Sequence, residues 1–229
     1  MVIGGLQKFS LSDFPGLISA IIFTRGCDFR CPYCHNPELV DPSRFASPIP
    51  LDEVREFLRS RRGQLQGVVV TGGEPTIHAD LPAFLAELKD MGFAVKLDTN
   101  GTNPRMLRRL AADRSIDYIA MDIKAPLALY AALVRAPAAS TDLLLSIELI
   151  LRSGLAHEFR TTFAESLLSA DDVLEIAELV KGCQKHVLQT FHAGKVLEAG
   201  FEANESSDRT RLTEIARIVA AAGFVVEVR

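Results

Sequence analysis

The sequence predicts an α/β fold, an open and partial (β/α)6 barrel with a short N-terminal extension and a C-terminal strand. Short β-branched or apolar runs alternate with longer helical patterns, which is typical of a parallel sheet with right-handed crossovers. Six strand–helix units of about 30 residues each take up most of the 229 residues. Because a closed eight-stranded barrel typically needs about 250 residues, we expect the barrel to remain open.

The elements follow one another in a regular order. Predicted strands cover residues 18–24, 68–71, 94–98, 118–121, 158–163 and 186–191, and a last short strand covers 224–228. Predicted helices cover residues 51–62, 81–91, 104–113, 142–153, 170–181 and 207–222. Asn103 before Pro104, and Ser169 before two acids, are typical helix starts. Five helices are followed by glycines typical of helix ends, namely Gly63, Gly92, Gly154, Gly182 and Gly223. Residues 35–50 are predicted to be an irregular loop over the site.

Composition and charge limit the class of protein. Apolar residues make up 48% of the chain, so a full core can be buried, and the net charge is −4. A negative net charge argues against broad contact with nucleic acid or anionic membrane. The N-terminus lacks the pattern of a signal peptide, and the apolar runs fall short of the roughly 20 residues of a membrane span. We therefore expect one domain over residues 1–229, soluble and cytoplasmic.

Three of the four cysteines, Cys27, Cys31 and Cys34, lie within eight positions directly after the first predicted strand. Such spacing in a cytosolic protein indicates a metal site. Three thiolates leave one iron of a four-iron cluster without a protein ligand, and an open position is what a catalytic metal needs. A zinc site that includes His35 is an alternative, but His35 is adjacent to Cys34, and zinc ligands are usually spaced further apart. Cys183 follows the fifth helix, at the opposite end of the sheet, and is predicted to be an ordinary buried cysteine.

The later strands all end in polar or glycine-rich motifs. In parallel α/β folds the functional site lies at the carboxyl ends of the strands. The motifs are Thr71-Gly72-Gly73-Glu74-Pro75, Asp98-Thr99-Asn100-Gly101, Met121-Asp122-Ile123-Lys124, Arg160-Thr161-Thr162 and Gln189-Thr190-Phe191-His192. We therefore expect these segments and the cysteines to form one site.

Charges in these motifs are complementary. Asp98 and Asp122 end neighbouring strands, and two close carboxylates are costly unless a cation lies between them. Lys124 supplies a positive charge, and a buried Arg160 needs anionic partners. The alternatives are structural: each Asp could cap a helix, Asn100 could be a turn residue, and His192 could be incidental.

The cysteine spacing, with aromatic Tyr33 before the last cysteine, resembles the hallmark of the radical S-adenosylmethionine (SAM) superfamily. The wider string FTRGCDFRCPYCHNPELV is similar to the activating enzymes of glycyl radical enzymes, above all those of anaerobic ribonucleoside-triphosphate reductase. The resemblance extends from GLQKFSLSDFPG through MDIKAPL and, more weakly, to FHAG.

The resemblance implies two cofactors and a set of site residues. Cys27, Cys31 and Cys34 would hold a [4Fe–4S] cluster and, with Lys124, carry the catalysis. Residues implied to bind SAM are Tyr33, His35, Gly72, Gly73, Glu74, Asp98, Asn100, Asp122, Lys124, Arg160 and His192. A monovalent cation, Na⁺ or K⁺, is implied at Asp98, Thr99, Met121 and Asp122.

The resemblance also implies a reaction. The reduced cluster would cleave SAM to methionine and a 5′-deoxyadenosyl radical, which abstracts hydrogen from a glycine of a partner enzyme, anaerobic ribonucleotide reductase. With a single cysteine cluster, an external flavodoxin- or ferredoxin-like electron donor is expected. The missing side of the barrel favours a protein substrate.

Alternatives are an activase of the formate-lyase type, a small-molecule enzyme such as 7-carboxy-7-deazaguanine synthase, or a zinc-binding module without catalysis. Cys34-His35-Asn36-Pro37 argues against the synthase.

Overall fold

A computed structural model describes residues 1–201 and 206–229. The described residues contain one eight-stranded sheet whose strands lie in chain order. The strands are β1 (Ile3–Ser10), β2 (Ser19–Thr24), β3 (Gly67–Gly72), β4 (Ala94–Thr99), β5 (Tyr118–Asp122), β6 (Ala156–Phe163), β7 (His186–Thr190) and β8 (Glu227–Val228). Strands β2 to β8 are parallel, and β1 is antiparallel to β2. Because β1 and β8 are the two edges, the barrel is open, as the sequence predicts.

Eight α-helices are described: α1 (Pro37–Val40), α2 (Leu51–Ser60), α3 (Leu81–Asp90), α4 (Pro104–Ala112), α5 (Tyr130–Val134), α6 (Ser140–Arg152), α7 (Ala170–Leu179) and α8 (Arg209–Ala221). The six predicted helices are present within a few residues. The prediction of an irregular 35–50 segment is wrong in part, because α1 and the 3-10 turn Pro42–Arg44 lie there. Helices as short as α1 and α5 have too few residues for a periodic pattern. No helix in the described ranges is long and apolar enough to cross a membrane.

The predicted helix ends are formed as expected. Ser169 and Asp172 make a reciprocal capping box at the start of α7. Asn103 Oδ1 accepts a hydrogen bond from the Met106 N–H at 3.1 Å, which caps α4. The five glycines that follow helices all have positive φ angles. Local sequence signals therefore determine where these helices start and stop.

The two ends of the chain differ from the prediction. The N-terminal extension is an eight-residue strand, β1, which pairs with β2 from Ile3 opposite Thr24 to Ser10 opposite Ser19. Its sequence, IGGLQKFS, lacks a clear alternation of apolar and polar residues, so the pairing partner stabilises the strand. The C-terminal strand is shorter than predicted and comprises only Glu227 and Val228.

An apolar plug closes the amino end of the barrel. Phe14, in the connection between β1 and β2, is buried with Ile21 and Val69 and makes an edge-on contact with the Tyr118 ring at 6.0 Å. A methyl group at Gly67 would come within 2.7 Å of the Phe14 ring, so the plug requires a glycine there. This part of the barrel is therefore packed with apolar side chains beside the Tyr118 ring.

Candidate active site

A cavity of about 280 Å³ lies at the carboxyl ends of the strands. It brings together most of the residues that the sequence predicts for the site. Its lining includes Cys27, Cys31, Tyr33, Cys34, His35, Gly72, Gly73, Glu74, Asp98, Thr99, Asn100, Asp122, Lys124 and Arg160. Met121 and His192 are absent from that lining.

The loop after β2 places the three cysteines on one wall. The Arg30 guanidinium donates to the carbonyls of Cys27 and Phe29, both at 2.7 Å. The Cys34 N–H donates to the Cys31 carbonyl at 3.1 Å and closes a turn. Among the described residues, no three Cys, His, Asp or Glu side chains form a site for a single metal ion. All three cysteines line the cavity.

Burial controls the protonation of these thiols. It raises the pKa of the Cys31 thiol to about 11, although the Lys124 charge acts in the opposite direction. Burial likewise raises the pKa of Cys27 and of Cys34. Metal binding requires the thiolate form, so it must displace these protons. Lys124 supplies a favourable charge for that change.

Gly72 and Gly73 let the end of β3 contact the cysteine loop. A Cβ atom at Gly73 would lie 1.9 Å from the Gly26 carbonyl oxygen. One at Gly72, where φ is +121°, would lie 2.3 Å from the Thr24 nitrogen. The Glu74 N–H donates to the Gly26 carbonyl at 2.7 Å. These glycines therefore fix the distance between two walls of the cavity.

The Glu74 carboxylate braces the loops around it. It is fully buried and accepts hydrogen bonds from the Thr76 N–H at 3.0 Å, the Thr99 hydroxyl at 2.8 Å and the Asn100 N–H at 2.6 Å, as well as from the Thr76 hydroxyl. Burial nevertheless raises its pKa to about 7. These four hydrogen bonds occupy the carboxylate and join the loops after β3 and β4.

Asn100 connects the same loop to the cysteine wall. Its side-chain amide donates to Asp28 Oδ1 at 2.7 Å, and its side-chain oxygen accepts from the Thr102 N–H at 3.0 Å. The sequence did not single out Asp28. The signal was present, since Asp28 lies between two of the predicted cysteine ligands.

Asp98 and Asp122 share the guanidinium of Arg160. Arg160 Nη1 lies 2.9 Å from Asp98 Oδ2, and Nε lies 2.8 Å from Asp122 Oδ1. Lys124 Nζ is 3.0 Å from Asp122 Oδ2. Burial alone would raise the pKa of both carboxyl groups, but the neighbouring cations hold each pKa below its ordinary value. The sequence correctly predicted that Arg160 has anionic partners.

Lys96 is a cation that the sequence did not single out. It lies on β4, is 2% exposed, and its Nζ is 2.6 Å from Asp98 Oδ1. A lysine two residues before an aspartate on a strand shares its face, which is the signal that could have revealed the pair.

The predicted monovalent cation stays a prediction, and all four of its proposed ligands have other contacts here. The Thr99 hydroxyl donates to Glu74. Met121 is fully buried, and its side chain packs closely on Gly101. A Cβ atom added at Gly101 would lie 2.0 Å from Cε of Met121. The Asp98 and Asp122 carboxylates already have protein cations as partners.

Aromatic residues form the side of the cavity near β7. The His35 ring stacks on Phe191 with centroids 5.6 Å apart, and its Nε2 donates to the His192 carbonyl at 2.8 Å. The Tyr33 hydroxyl is buried and has no hydrogen-bond partner among the described residues. His192 therefore positions His35 through its backbone, whereas its predicted contact with SAM stays a prediction.

Three further strand-end residues line the cavity, Thr71, Thr162 and Gln189. Each lies on the inward face of its strand, as the pairing of Thr162 with Gln189 indicates.

Cys183 lies between α7 and β7, at the amino end of the sheet, where it lines a separate small cavity with Val180 and Phe224. Its predicted separation from the other cysteines is confirmed.

Comparison with known proteins identifies the family. Residues 21–180 match the family described as the radical SAM superfamily. A protein of Methanocaldococcus jannaschii, named as a candidate glycyl-radical enzyme activating enzyme, is 30% identical over 223 residues. That alignment covers 95% of this chain and 91% of the relative.

Other relatives match over about half of their own length. A pyruvate formate-lyase-activating enzyme of Staphylococcus aureus is 37% identical over 129 residues, which cover 52% of this chain and 51% of that protein. A 7-carboxy-7-deazaguanine synthase of Thermococcus kodakarensis is 34% identical over 124 residues, which cover 45% of this chain and 48% of that protein.

A solved structure shows the same fold. Streptococcus suis SuiB bound to S-adenosylmethionine aligns with a TM-score of 0.71 and 14% identity, over 91% of this chain and 49% of SuiB. At that identity the likeness concerns the fold alone. The family match over residues 21–180 and the relative aligned over nearly its full length show more than the fold. The chain belongs to the radical SAM superfamily, among the activating enzymes of glycyl radical enzymes.

Proposed function

We propose that this chain binds a [4Fe–4S] cluster through Cys27, Cys31 and Cys34, binds SAM beside it, and generates a glycyl radical on a partner enzyme. One observation carries the proposal. The three thiols, the Lys124 ammonium and the loop after β3 face a single cavity at the carboxyl ends of the strands.

The donor set fits these cofactors. Thiolates are the ligands that iron–sulfur clusters take in proteins, and three of them leave one iron free. The buried Tyr33 hydroxyl, which has no hydrogen-bond partner in the described part of the chain, gives the same cavity an unused polar atom. When bound, the cluster supplies the electron that cleaves SAM to methionine and a 5′-deoxyadenosyl radical.

The residues of the chain bind and orient SAM. Lys124 and Arg160 provide positive charge for its carboxylate, and the backbone of Gly72 and Gly73 receives its ammonium group. Glu74 acts indirectly, because its carboxylate is occupied by four hydrogen bonds from neighbouring loops. The β3 loop thus contributes backbone atoms to SAM, and Glu74 holds that backbone in place.

The test of this chemistry is SAM cleavage by protein reconstituted anaerobically with iron and sulfide. We expect 5′-deoxyadenosine after reduction, and we expect Cys31→Ala to abolish it because a cluster ligand is lost. Cys183→Ala is the matched control and retains cleavage. A colourless wild-type protein with one bound zinc, or equal loss of cleavage in the two variants, would contradict the three-cysteine cluster.

The proposed substrate is a glycine on a peptide loop of anaerobic ribonucleotide reductase. Among the described residues the sheet ends at β1 and β8, which do not pair with each other, so one side of the barrel is available to an extended segment. A second candidate is a partner of the formate-lyase type, favoured by the 37% identity to the Staphylococcus aureus enzyme over half the chain.

The electron is proposed to come from a flavodoxin- or ferredoxin-like protein. Three of the four cysteines in the sequence are assigned to the cluster. The remaining one, Cys183, is too distant in the fold to join them. The four cysteines of this sequence therefore suffice for one cluster, which supports the proposal of an external electron donor.

A further inference from the structure

Lys96 points into the barrel one layer below Asp98. Residues of β4 alternate between the two faces of the sheet, so Lys96 and Asp98 share the inner face. The Lys96 side chain is 2% exposed, and its Nζ lies 2.6 Å from Asp98 Oδ1 and 5.8 Å from the centre of the Tyr118 ring. A buried ammonium needs such a partner, because an unpaired buried charge is strongly destabilising.

The other groups inside the barrel explain why Asp98 is that partner. From β6, Glu158 also faces inward, but Arg229 Nη2 lies 3.0 Å from its Oε2, and the Tyr118 hydroxyl donates to the same oxygen at 3.2 Å. Val69 of the apolar plug is the strand partner of Lys96 and lies in one row with Ile21, so this side offers Lys96 no ionic partner. Among the described residues, the ion pair of Lys96 is therefore with Asp98.

Lys96 completes the pairing of all four strand-end carboxylate oxygens. Asp98 Oδ1 pairs with Lys96, and Asp98 Oδ2 pairs with Arg160. Asp122 Oδ1 pairs with Arg160, and Asp122 Oδ2 pairs with Lys124. Without Lys96, Asp98 would have only the shared guanidinium, and Arg160 would be drawn away from Asp122 towards the unpaired oxygen.

We propose that Lys96 is a positioning residue whose ammonium serves as the built-in counter-ion of Asp98 in this chain. It keeps Arg160 between the two carboxylates and Lys124 beside Asp122, in the arrangement that lines the cavity. SAM binding then needs no Na⁺ or K⁺, because a protein cation holds the place of one. The part of this inference that concerns SAM rests on the proposed function.

The test compares potassium chloride with tetramethylammonium chloride at equal ionic strength. Potassium can enter a small site beside a carboxylate, and tetramethylammonium is too large and cannot be coordinated. Thermal unfolding of the purified protein, which needs neither cluster nor SAM, is the first measurement. Equilibrium dialysis of SAM with the reconstituted protein is the second. Wild-type protein is expected to give the same midpoint and the same Kd in both salts.

Lys96→Met removes the ammonium and keeps the apolar stem, which leaves a gap beside Asp98 Oδ1. In tetramethylammonium we expect a lower unfolding midpoint and SAM binding weaker by at least about tenfold. Potassium restores part of both losses by occupying the gap. Lys89→Met is the matched control, because Lys89 Nζ pairs with Asp117 at 2.7 Å outside the cavity; its unfolding and SAM binding do not depend on the salt.

Three results would overturn the inference. The first is a wild-type protein that gains stability or SAM affinity from potassium, since the counter-ion would then be a metal ion. The second is a Lys96→Met protein that behaves like Lys89→Met. The third is a Lys96→Met protein whose unfolding midpoint and SAM affinity fall by the same amount in both salts, with no recovery in potassium. If Lys96→Met does not fold in either salt, the comparison of wild-type protein in the two salts tests the inference, because a gain in potassium would overturn it. If wild-type protein binds no SAM, the proposed function fails, and the unfolding measurements still test Lys96.

Discussion

Glu74 illustrates how a single side chain at this site depends on its neighbours. The carboxylate is buried among four hydrogen-bond donors, two from Thr76, one from Thr99 and one from Asn100. These donors favour the ionised form, whereas burial favours the neutral form. Burial prevails, and it raises the pKa of Glu74 to about 7 from an ordinary value of 4.5.

A raised pKa links Glu74 to the pH dependence of stability. Protonation of Glu74 is more favourable in the folded than in the unfolded protein. Its contribution to the free energy of unfolding is therefore complete below pH 4.5 and is lost as the pH rises through 7. A shift of this size corresponds to about 3 kcal/mol. We expect the free energy of unfolding of wild type, minus that of Glu74→Gln, to fall by about this amount between acidic and mildly alkaline pH.

Urea unfolding of the cluster-free protein over that pH range measures the effect. Glu53→Gln is the control, because Glu53 is exposed on α2, and a surface change of this kind alters stability by no more than about 0.5 kcal/mol. If wild type and Glu74→Gln show the same pH slope, Glu74 does not titrate as described.

At the scale of elements, the connection between β1 and β2 determines how the barrel closes at its amino end. Phe14 is 4% exposed and packs on Ile21, Val69 and the Tyr118 ring. The start of β3 accommodates it through Gly67, where a methyl group would lie 2.7 Å from the ring. The connection and the strand are therefore matched in shape.

Phe14→Ala is expected to lower the free energy of unfolding by about 3–5 kcal/mol, because it leaves a cavity under the sheet. Phe9→Ala is the matched control; Phe9 lies on β1 with 55% of its surface exposed, and its loss is expected to change stability by less than about 0.5 kcal/mol.

Gly67→Ala tests the shape match directly. In the wild-type background Gly67→Ala is expected to lower the free energy of unfolding through the clash with Phe14. In the Phe14→Ala background the decrease is expected to be smaller, because the ring is absent. A double-mutant cycle on unfolding free energies measures this coupling. Strictly additive values would contradict the contact between Phe14 and β3.

At the scale of the molecule, the barrel interior changes from apolar to polar along its strands. The apolar plug lies towards the amino end, and the ion pairs of Asp98, Asp122 and Arg160 line the cavity at the carboxyl end together with the three cysteines. Lys96 connects the two regions, because it is the strand partner of Val69 and the ion-pair partner of Asp98. In the described part of the chain β1 and β8 do not pair with each other, which leaves the sheet open on one side.

The openness of the barrel supports a macromolecular substrate, and the partner can be identified by the radical it acquires. We expect a glycyl radical signal by electron paramagnetic resonance when reduced enzyme and SAM are incubated with anaerobic ribonucleotide reductase. Cys31→Ala gives no signal under the same conditions. A strong signal with a formate-lyase type partner, and none with the reductase, would assign the chain to the second candidate.

Features that depend on local chemistry could be predicted from the amino-acid sequence. Helix starts such as Ser169 and helix ends such as Gly92 are specified within a few residues. The three cysteines share one short loop, and the alternation of strands and helices places the later motifs at the same edge of the sheet. For that reason the open barrel and most of the cavity lining could be predicted.

The pairing of each hydrogen-bond donor and cation with its acceptor depends instead on how distant segments pack. Lys96 stands between Val95 and Leu97 in β4, and its role depends on the face that β4 turns inward. Glu74 receives hydrogen bonds from residues about 25 positions away, and β1 exists because β2 pairs with it. These features depend on contacts between segments distant in the chain, whose geometry is set by strand pairing and packing rather than by local sequence.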